Sequence, residues 1–287
     1  MTRLWLGIAA ALAIPSPAFA KPPVWIVRDK DSEMVLFGSI HALPATLDWR
    51  PAALDAAMTS ADDLWFEFPS ASAADADANR RSAEAAQLPA GQSLSRLLPA
   101  ADAARLKRLV ARYGVDARYI EQLKPWMAEI VLSQTVLART AGAYGDYSVE
   151  AAVQAATPAR VQRRALETSS QQLQLFKDPP LAQQVAALSR AMATLERDPR
   201  AYKRVLDAWM SGDIRALDRV AVEPERKADP VGFRRMVTDR NAAWVPVLDQ
   251  RLKGKGRTVV IVGVGHLVGA GGLPARLRAL GYSVTGP

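Results

Sequence analysis

Two short apolar runs near opposite ends of the chain end in the same four-residue pattern, and this pair constrains the fold more than any other feature. Met34-Val35-Leu36-Phe37 leads into Gly38-Ser39-Ile40-His41, and Val259-Val260-Ile261-Val262 leads into Gly263-Val264-Gly265-His266. These are the only two histidines in 287 residues. Unbroken apolar runs of this length read as strands buried on both faces. A histidine just past such a strand, on a turn opened by glycine, sits where α/β proteins place chemistry. The pair therefore asks for a sheet built from both ends of the chain.

The rest of the pattern agrees. Val24-Trp25-Ile26-Val27 and the run before Gly38 flank the polar turn Asp29-Lys30-Asp31-Ser32 and predict a hairpin. A helix is expected from Pro51, then a strand over Asp63-Leu64-Trp65-Phe66-Glu67-Phe68. Residues 70–90 are rich in Ala, Ser and Asp and read as a surface segment or a weak helix. From 91 to 156 the spacing is helical, with Ser148 or Asp146 as cap of a helix over 149–156. A short strand is expected over 160–166. Leu181, Val185, Leu188, Met192 and Leu195 mark a helix over 181–195, and more helices are expected over 200–220 and 230–253. A helix over 272–280 and a strand over 282–285 close the chain. The expected class is α/β: one domain over 21–287, its central sheet made of N- and C-terminal strands, with a large helical insertion covering it.

Residues 1–20 read as a secretory leader. Arg3 gives a positive start, 4–14 is apolar, Pro15-Ser16-Pro17 breaks the run, and Ala18-Phe19-Ala20 is a small-residue cleavage site. The run is too short for a permanent membrane helix, and no later segment is long and apolar enough. The expected location is periplasmic or secreted. The chain has no cysteine, which removes disulfides, thiolate nucleophiles and Cys-ligated zinc together. The net charge is +8, but its arginines are scattered among acids with no basic run, which argues against nucleic acid as a partner.

Four residues carry the candidate chemistry: His41, His266, Glu67 and Arg240. Glu67 ends a strand, and alternation places it on the face of Trp65, opposite Leu64, Phe66 and Phe68. Two imidazoles and a carboxylate form an N/O set suited to a divalent cation with open positions. Arg240 falls within the apolar face formed by Val237, Trp244 and Val247, with Asn241 close by, and Pro246 disturbs the register beyond. A buried guanidinium there binds a carboxylate or a developing oxyanion. Asp146 and Glu167 are weaker candidates, since helix starts favour acids on their own. The glycines around His266 do not make a dinucleotide site: their spacing departs from the fingerprint, and 270–287 holds no acid for a ribose. No G-x-S-x-G is present, so Ser39 is a poor nucleophile candidate.

The ordered set of motifs resembles the TraB/GumN family, which is related to the Tiki proteases and more distantly to erythromycin-esterase and ChaN-like proteins. The resemblance rests on Leu36-Phe37-Gly38-Ser39-Ile40-His41, Trp65-Phe66-Glu67, Gly145-Asp146, Leu166-Glu167-Thr168, Trp209-Met210-Ser211-Gly212-Asp213, Asp239-Arg240-Asn241 and the stretch from Val262 to Gly269. It implies an α/β fold with both GxxH motifs and the glutamate in one site. In the Tiki branch it implies a metal-dependent protease using manganese or cobalt, and zinc suits the same donors. Carried over, His41, His266 and Glu67 are the core, with Arg240 beside them.

The expected function is a secreted or periplasmic metal-dependent hydrolase acting on peptides or another envelope substrate, with Glu67 as metal ligand or as general base. Two other readings stand beside it. One is a metal-independent, esterase-like hydrolase with a histidine base. The other is a non-catalytic envelope protein that binds an anionic polysaccharide, for which the positive charge is the support.

Overall fold

Four parallel strands run side by side through the molecule, and His41, His266, Glu67 and Glu167 lie at or beyond their carboxyl ends. The computed structural model describes residues 21–69 and 83–287; the leader expected over 1–20 and most of the segment expected over 70–90 lie outside them. The strands in chain order are β1 (Val24–Arg28), β2 (Ser32–Ser39), β3 (Leu43–Pro44), β4 (Asp63–Phe66), β5 (Ala143–Tyr144), β6 (Gln162–Ala165), β7 (Gly256–Gly263) and β8 (Ser283–Thr285). Six of them form one sheet in the order β6-β4-β7-β2-β1-β8, and β3 pairs with β5 separately. β6, β4, β7 and β2 are mutually parallel. β1 returns antiparallel to β2 as the expected hairpin, and β8 closes the edge antiparallel to β1.

The apolar runs are continuous because the sheet is covered twice. On one face Val35, Phe37, Leu64, Phe66, Val259 and Ile261 join a core with Trp49, Trp209 and the helix Ala52–Ser60. On the other, Met34, Leu36, Val260 and Val262 pack with Trp244, Leu248 and Leu252 of the helix Asp239–Leu252. Trp65 packs on this second face and Leu64 and Phe66 on the first, so the alternation expected for β4 holds. A third apolar cluster ties the helix Ala100–Tyr113 to the helices Pro125–Ala141 and Leu181–Arg197. This is the expected helical insertion. Among the described residues no helix is long and apolar enough to cross a membrane.

Two details of helix register differ from expectation. Leu181 is 50 % exposed, and Gln184 takes its place on the buried face. The Gln184 amide is tolerated there because Nε2 donates to the carbonyls of Pro179 (2.8 Å) and Lys177 (3.2 Å), which precede the helix. Past Pro246 the buried face passes to Leu248 and Leu252, and Val247 turns outward.

Candidate active site

β2 and β7 are neighbours in register, with Gly38 opposite Val262 and Ser39 opposite Gly263. The two GxxH turns therefore leave the sheet side by side. Gly38 is glycine because of this contact: a Cβ there would come within 2.8 Å of Val264 Cγ2 and 3.0 Å of its Cα. The first motif thus makes room for the turn of the second. Its carbonyl is held from below by Trp209 Nε1 at 2.8 Å, and Trp209 packs edge-on against Phe37 and at a tilt against Trp49.

On the other side of β7, β4 delivers Glu67. The Gly263 N–H donates to Glu67 Oε1 at 2.6 Å. β6 lies beyond β4, and the Glu167 N–H bonds the Glu67 carbonyl at 2.8 Å, which continues the ladder and sets the two glutamates next to each other. Glu167, Glu67, His266 and His41 therefore follow one another across the carboxyl edge of the parallel strands, the usual ligand position in such sheets.

Arg240 enters from above, on the helix that covers the second face. Its guanidinium uses every nitrogen. Nε and Nη2 grip Glu167 at 2.8 and 3.0 Å, Nη2 also reaches Glu67 Oε2 at 2.6 Å, and Nη1 meets the Met236 carbonyl at 3.2 Å and His266 Nε2 at 3.1 Å. It lies over the Trp244 ring at 4.6 Å, and Trp244 Nε1 donates to Glu167 Oε1 at 2.9 Å. Met236 belongs to a π-helical turn, Arg234–Thr238, that runs into this helix. Glu67, Arg240 and His266 are 5–7 % exposed and Asn241 is fully buried.

The state of His266 follows from its partners. Asn241 Nδ2 donates to the carbonyls of His266 (3.1 Å) and Gly271 (3.0 Å), so Oδ1 is the atom facing His266 Nδ1 at 2.7 Å. Nδ1 must then carry the hydrogen. Arginine only donates, so Nε2 presents its lone pair to Arg240. His266 is a neutral imidazole. Burial is the main reason that its pKa falls to about 4; Arg240 and His41 push the same way, against the attraction of Glu67.

His41 has the opposite setting. Its side chain is 63 % exposed, and Nδ1 contacts Glu150 Oε1 at 2.8 Å. Crowding by the protein pulls its pKa down, but the Glu150 carboxylate outweighs this and raises it to about 9. Burial on its own would raise the pKa of Glu67; its interaction with the His266 ring, the charges of Arg240 and His41 and the Gly263 N–H overcome it and hold the carboxyl below its ordinary value.

The structure thus brings together His41, His266, Glu67 and Arg240, all four expected from the sequence, and it adds Glu167. Asp146 does not join: its side chain is exposed, and Ser148 is the cap of the following helix. Glu150 was not singled out from the sequence. It lies in the first turn of the helix Val149–Ala156, where an acid is already favoured by the macrodipole, so its partnership with His41 leaves no local signature.

Among the described residues no three His, Cys, Asp or Glu side chains form a closed metal cage as they stand. Arg240 occupies His266 Nε2 and Glu67 Oε2. The donor chemistry nevertheless fits a divalent cation. Each histidine has Nδ1 anchored on an oxygen, the arrangement that orients metal-ligating imidazoles. Gly263 leaves a recess between the donors: a Cβ there would lie 3.1 Å from Glu67 Oε1 and 3.7 Å from both His41 Nε2 and His266 Cδ2.

Fold and site together define an α/β protein whose polar centre is assembled at the carboxyl edge of a parallel sheet from two GxxH turns, two glutamates and a buried arginine. The chain belongs to the TraB/PrgY/gumN family, whose model matches residues 23–286. No curated protein and no solved structure matches it.

Proposed function

We propose that this chain is a hydrolase of an extracytoplasmic compartment that cleaves peptide bonds, with a divalent cation (manganese, cobalt or zinc) held by His41, His266 and Glu67. The observation that carries the reading is the recess at Gly263, flanked by two imidazoles whose Nδ1 atoms are already anchored and by an ionised carboxylate. A bound cation would acidify a water molecule and polarise the substrate carbonyl.

The protein's own groups have separable tasks. Glu67 is a ligand rather than a base, because Arg240, His41 and the Gly263 N–H keep it ionised and lower its proton affinity. His266 supplies a fixed neutral lone pair, on condition that Arg240 Nη1 releases Nε2. Arg240 keeps its grip on Glu167 through Nε and Nη2, which leaves Nη1 as the donor for a carbonyl oxygen that gains charge. His41 is open to solvent and backed by Glu150, so its Nε2 is the more accessible of the two imidazole donors.

The test is metal analysis of the purified protein after supply of manganese, cobalt and zinc, with peptide hydrolysis measured alongside. Stoichiometric metal in the wild type, lost in His41→Ala and His266→Ala while circular dichroism is unchanged, is the expected result. Equal, negligible metal in all three proteins sinks the reading.

The His41–Glu150 pair favours a second reading, in which the same hydrolysis proceeds without metal and His41, in its deprotonated form, is the general base, so that the rate climbs with pH toward 9. Activity that survives strong chelators and disappears in Glu150→Gln would select it.

A further inference from the structure

A cleft of about 650 Å³ opens beside the site, between the helices Pro125–Ala141 and Leu181–Arg197 and the segment around 220–237. Its walls are largely apolar, with Trp126, Ile130, Phe176, Ala187, Phe233 and Val237 among them. It reaches Gly265, the residue before His266, and Met236, whose carbonyl takes Arg240 Nη1.

Gly265 has no structural reason to be glycine. It is not among the residues with positive φ, and a Cβ there would meet nothing within 4 Å. Its cost in backbone entropy is offset if something must pass close to the chain at that point. Both π-helical turns of the protein's described part, Asp218–Val222 and Arg234–Thr238, also contribute to the lining; such turns are rare and recur at functional sites.

The cleft carries its own charge pattern. Asp229 is accounted for, since it pairs with Arg190 and caps Gly232. Glu129 and Glu225 have no hydrogen bond or ion pair to their carboxylates among the described residues. Burial raises both, and repulsion between acids outlasts the pull of Arg190 enough to take Glu129 to about 7. Arg190, paired with Asp229, and Arg235 also line the cleft, so its acids exceed its arginines by one, and a positive group placed beside Glu129 and Glu225 would complement it.

We propose that the cleft is the substrate subsite of the hydrolase read above, that it takes an apolar peptide segment carrying positive charge, and that Gly265 is the bare threshold over which that segment reaches the site. The proposal rests on the hydrolase reading for its link to cleavage, but the binding it asserts is measurable alone.

The experiment uses three dye-labelled decapeptides, alternating Leu with Lys, with Ser or with Glu, and follows fluorescence anisotropy on the whole protein. The Leu/Lys peptide is expected to bind at least tenfold more tightly than the Leu/Glu peptide. Ala187→Trp, which fills the cleft from a helix that bears none of the site residues, weakens the Leu/Lys peptide at least tenfold, and Gly265→Val does the same. Glu129→Gln with Glu225→Gln removes the preference for Lys over Ser and keeps the affinity for Leu. Equal binding of all three peptides, absence of binding, or an Ala187→Trp protein that melts and binds like wild type overturns the proposal. Cleavage of the Leu/Lys peptide by the metal-loaded protein separates the two claims. Binding as expected without cleavage upholds the cleft and removes the hydrolase reading. Cleavage indifferent to Ala187→Trp does the reverse.

Discussion

His41 and His266 close the same four-residue motif on adjacent parallel strands, yet they are opposite kinds of histidine. His266 is 5 % exposed, neutral, and enclosed by Trp244, Asn241 and Arg240. His41 stands in solvent against a single carboxylate and has a pKa raised to about 9. The difference comes from what lies above each strand end. The helix Asp239–Leu252 folds over β7 and brings an amide, an indole and a guanidinium to His266, whereas β2 ends under the first turn of the helix Val149–Ala156, which offers His41 only Glu150. A shared motif thus fixes where an imidazole is placed, and its neighbours fix what it does. One end of the site is rigid and pre-paired; the other is free to exchange protons.

The contrast is broken most strongly by removing its charged centre. Arg240→Ala leaves Glu67 and Glu167 buried without a counter-ion and should cost about 3–5 kcal/mol in urea unfolding. Glu150→Gln, at the open end, should cost about 1 kcal/mol or less. Equal losses would mean that the two ends are energetically alike.

Next in size are the groups that orient the imidazoles. On the metal reading, Asn241→Ala and Glu150→Gln should each weaken manganese binding about 10–100-fold by calorimetry while the ligands stay in place. Unchanged affinity in both variants would remove the metal from these histidines.

The protonation difference is directly visible by NMR on the metal-free protein. One imidazole should titrate near pH 9 and the other near 4, and Glu150→Gln should move only the first, downward. Two titrations near the ordinary value of 6.5 would erase the contrast. Stability follows the same groups. His41, raised by folding, contributes fully below about pH 6.5 and loses that contribution as pH climbs toward 9. His266, lowered by folding, contributes fully above about 6.5 and loses it as pH falls toward 4. His41→Gln should therefore flatten only the alkaline limb of the curve of Tm against pH.

The smallest effect is in proton release. Metal taken up at His41 must displace its proton, so loading at pH 8 should release close to one proton, and the affinity should rise with pH up to about 9. Uptake with no proton release places the cation elsewhere.

Much of the site was legible because it depends on periodicities. The apolar runs gave β2 and β7, alternation put Glu67 on the face of Trp65, and the step of four from Arg240 to Trp244 put the arginine in a buried stripe. Contacts between distant elements were not legible. Glu167 and Asp146 are both acids near helix starts, and only the pairing of β6 with β4 separates them by carrying Glu167 to Arg240. Glu150 looks like any acid in a first helical turn. The two histidines could not be told apart because local spacing does not say that the helix Asp239–Leu252 folds back over the end of β7 and leaves that of β2 open. The π-helical turns that shape the cleft likewise have no signature in local spacing, since packing imposes them.

The close fit of Gly38 against Val264 also bears on when the protein becomes competent. The strand that carries His41 leaves the ribosome long before its partner in the site, Gly256–Gly263. An unfinished chain, or one clipped near its end, holds half a site, with a buried strand edge bare. Pairings over such a sequence distance form late and slowly. The interlock therefore makes the site depend on both strands, and a proteolytic fragment that lacks β7 should not assemble it.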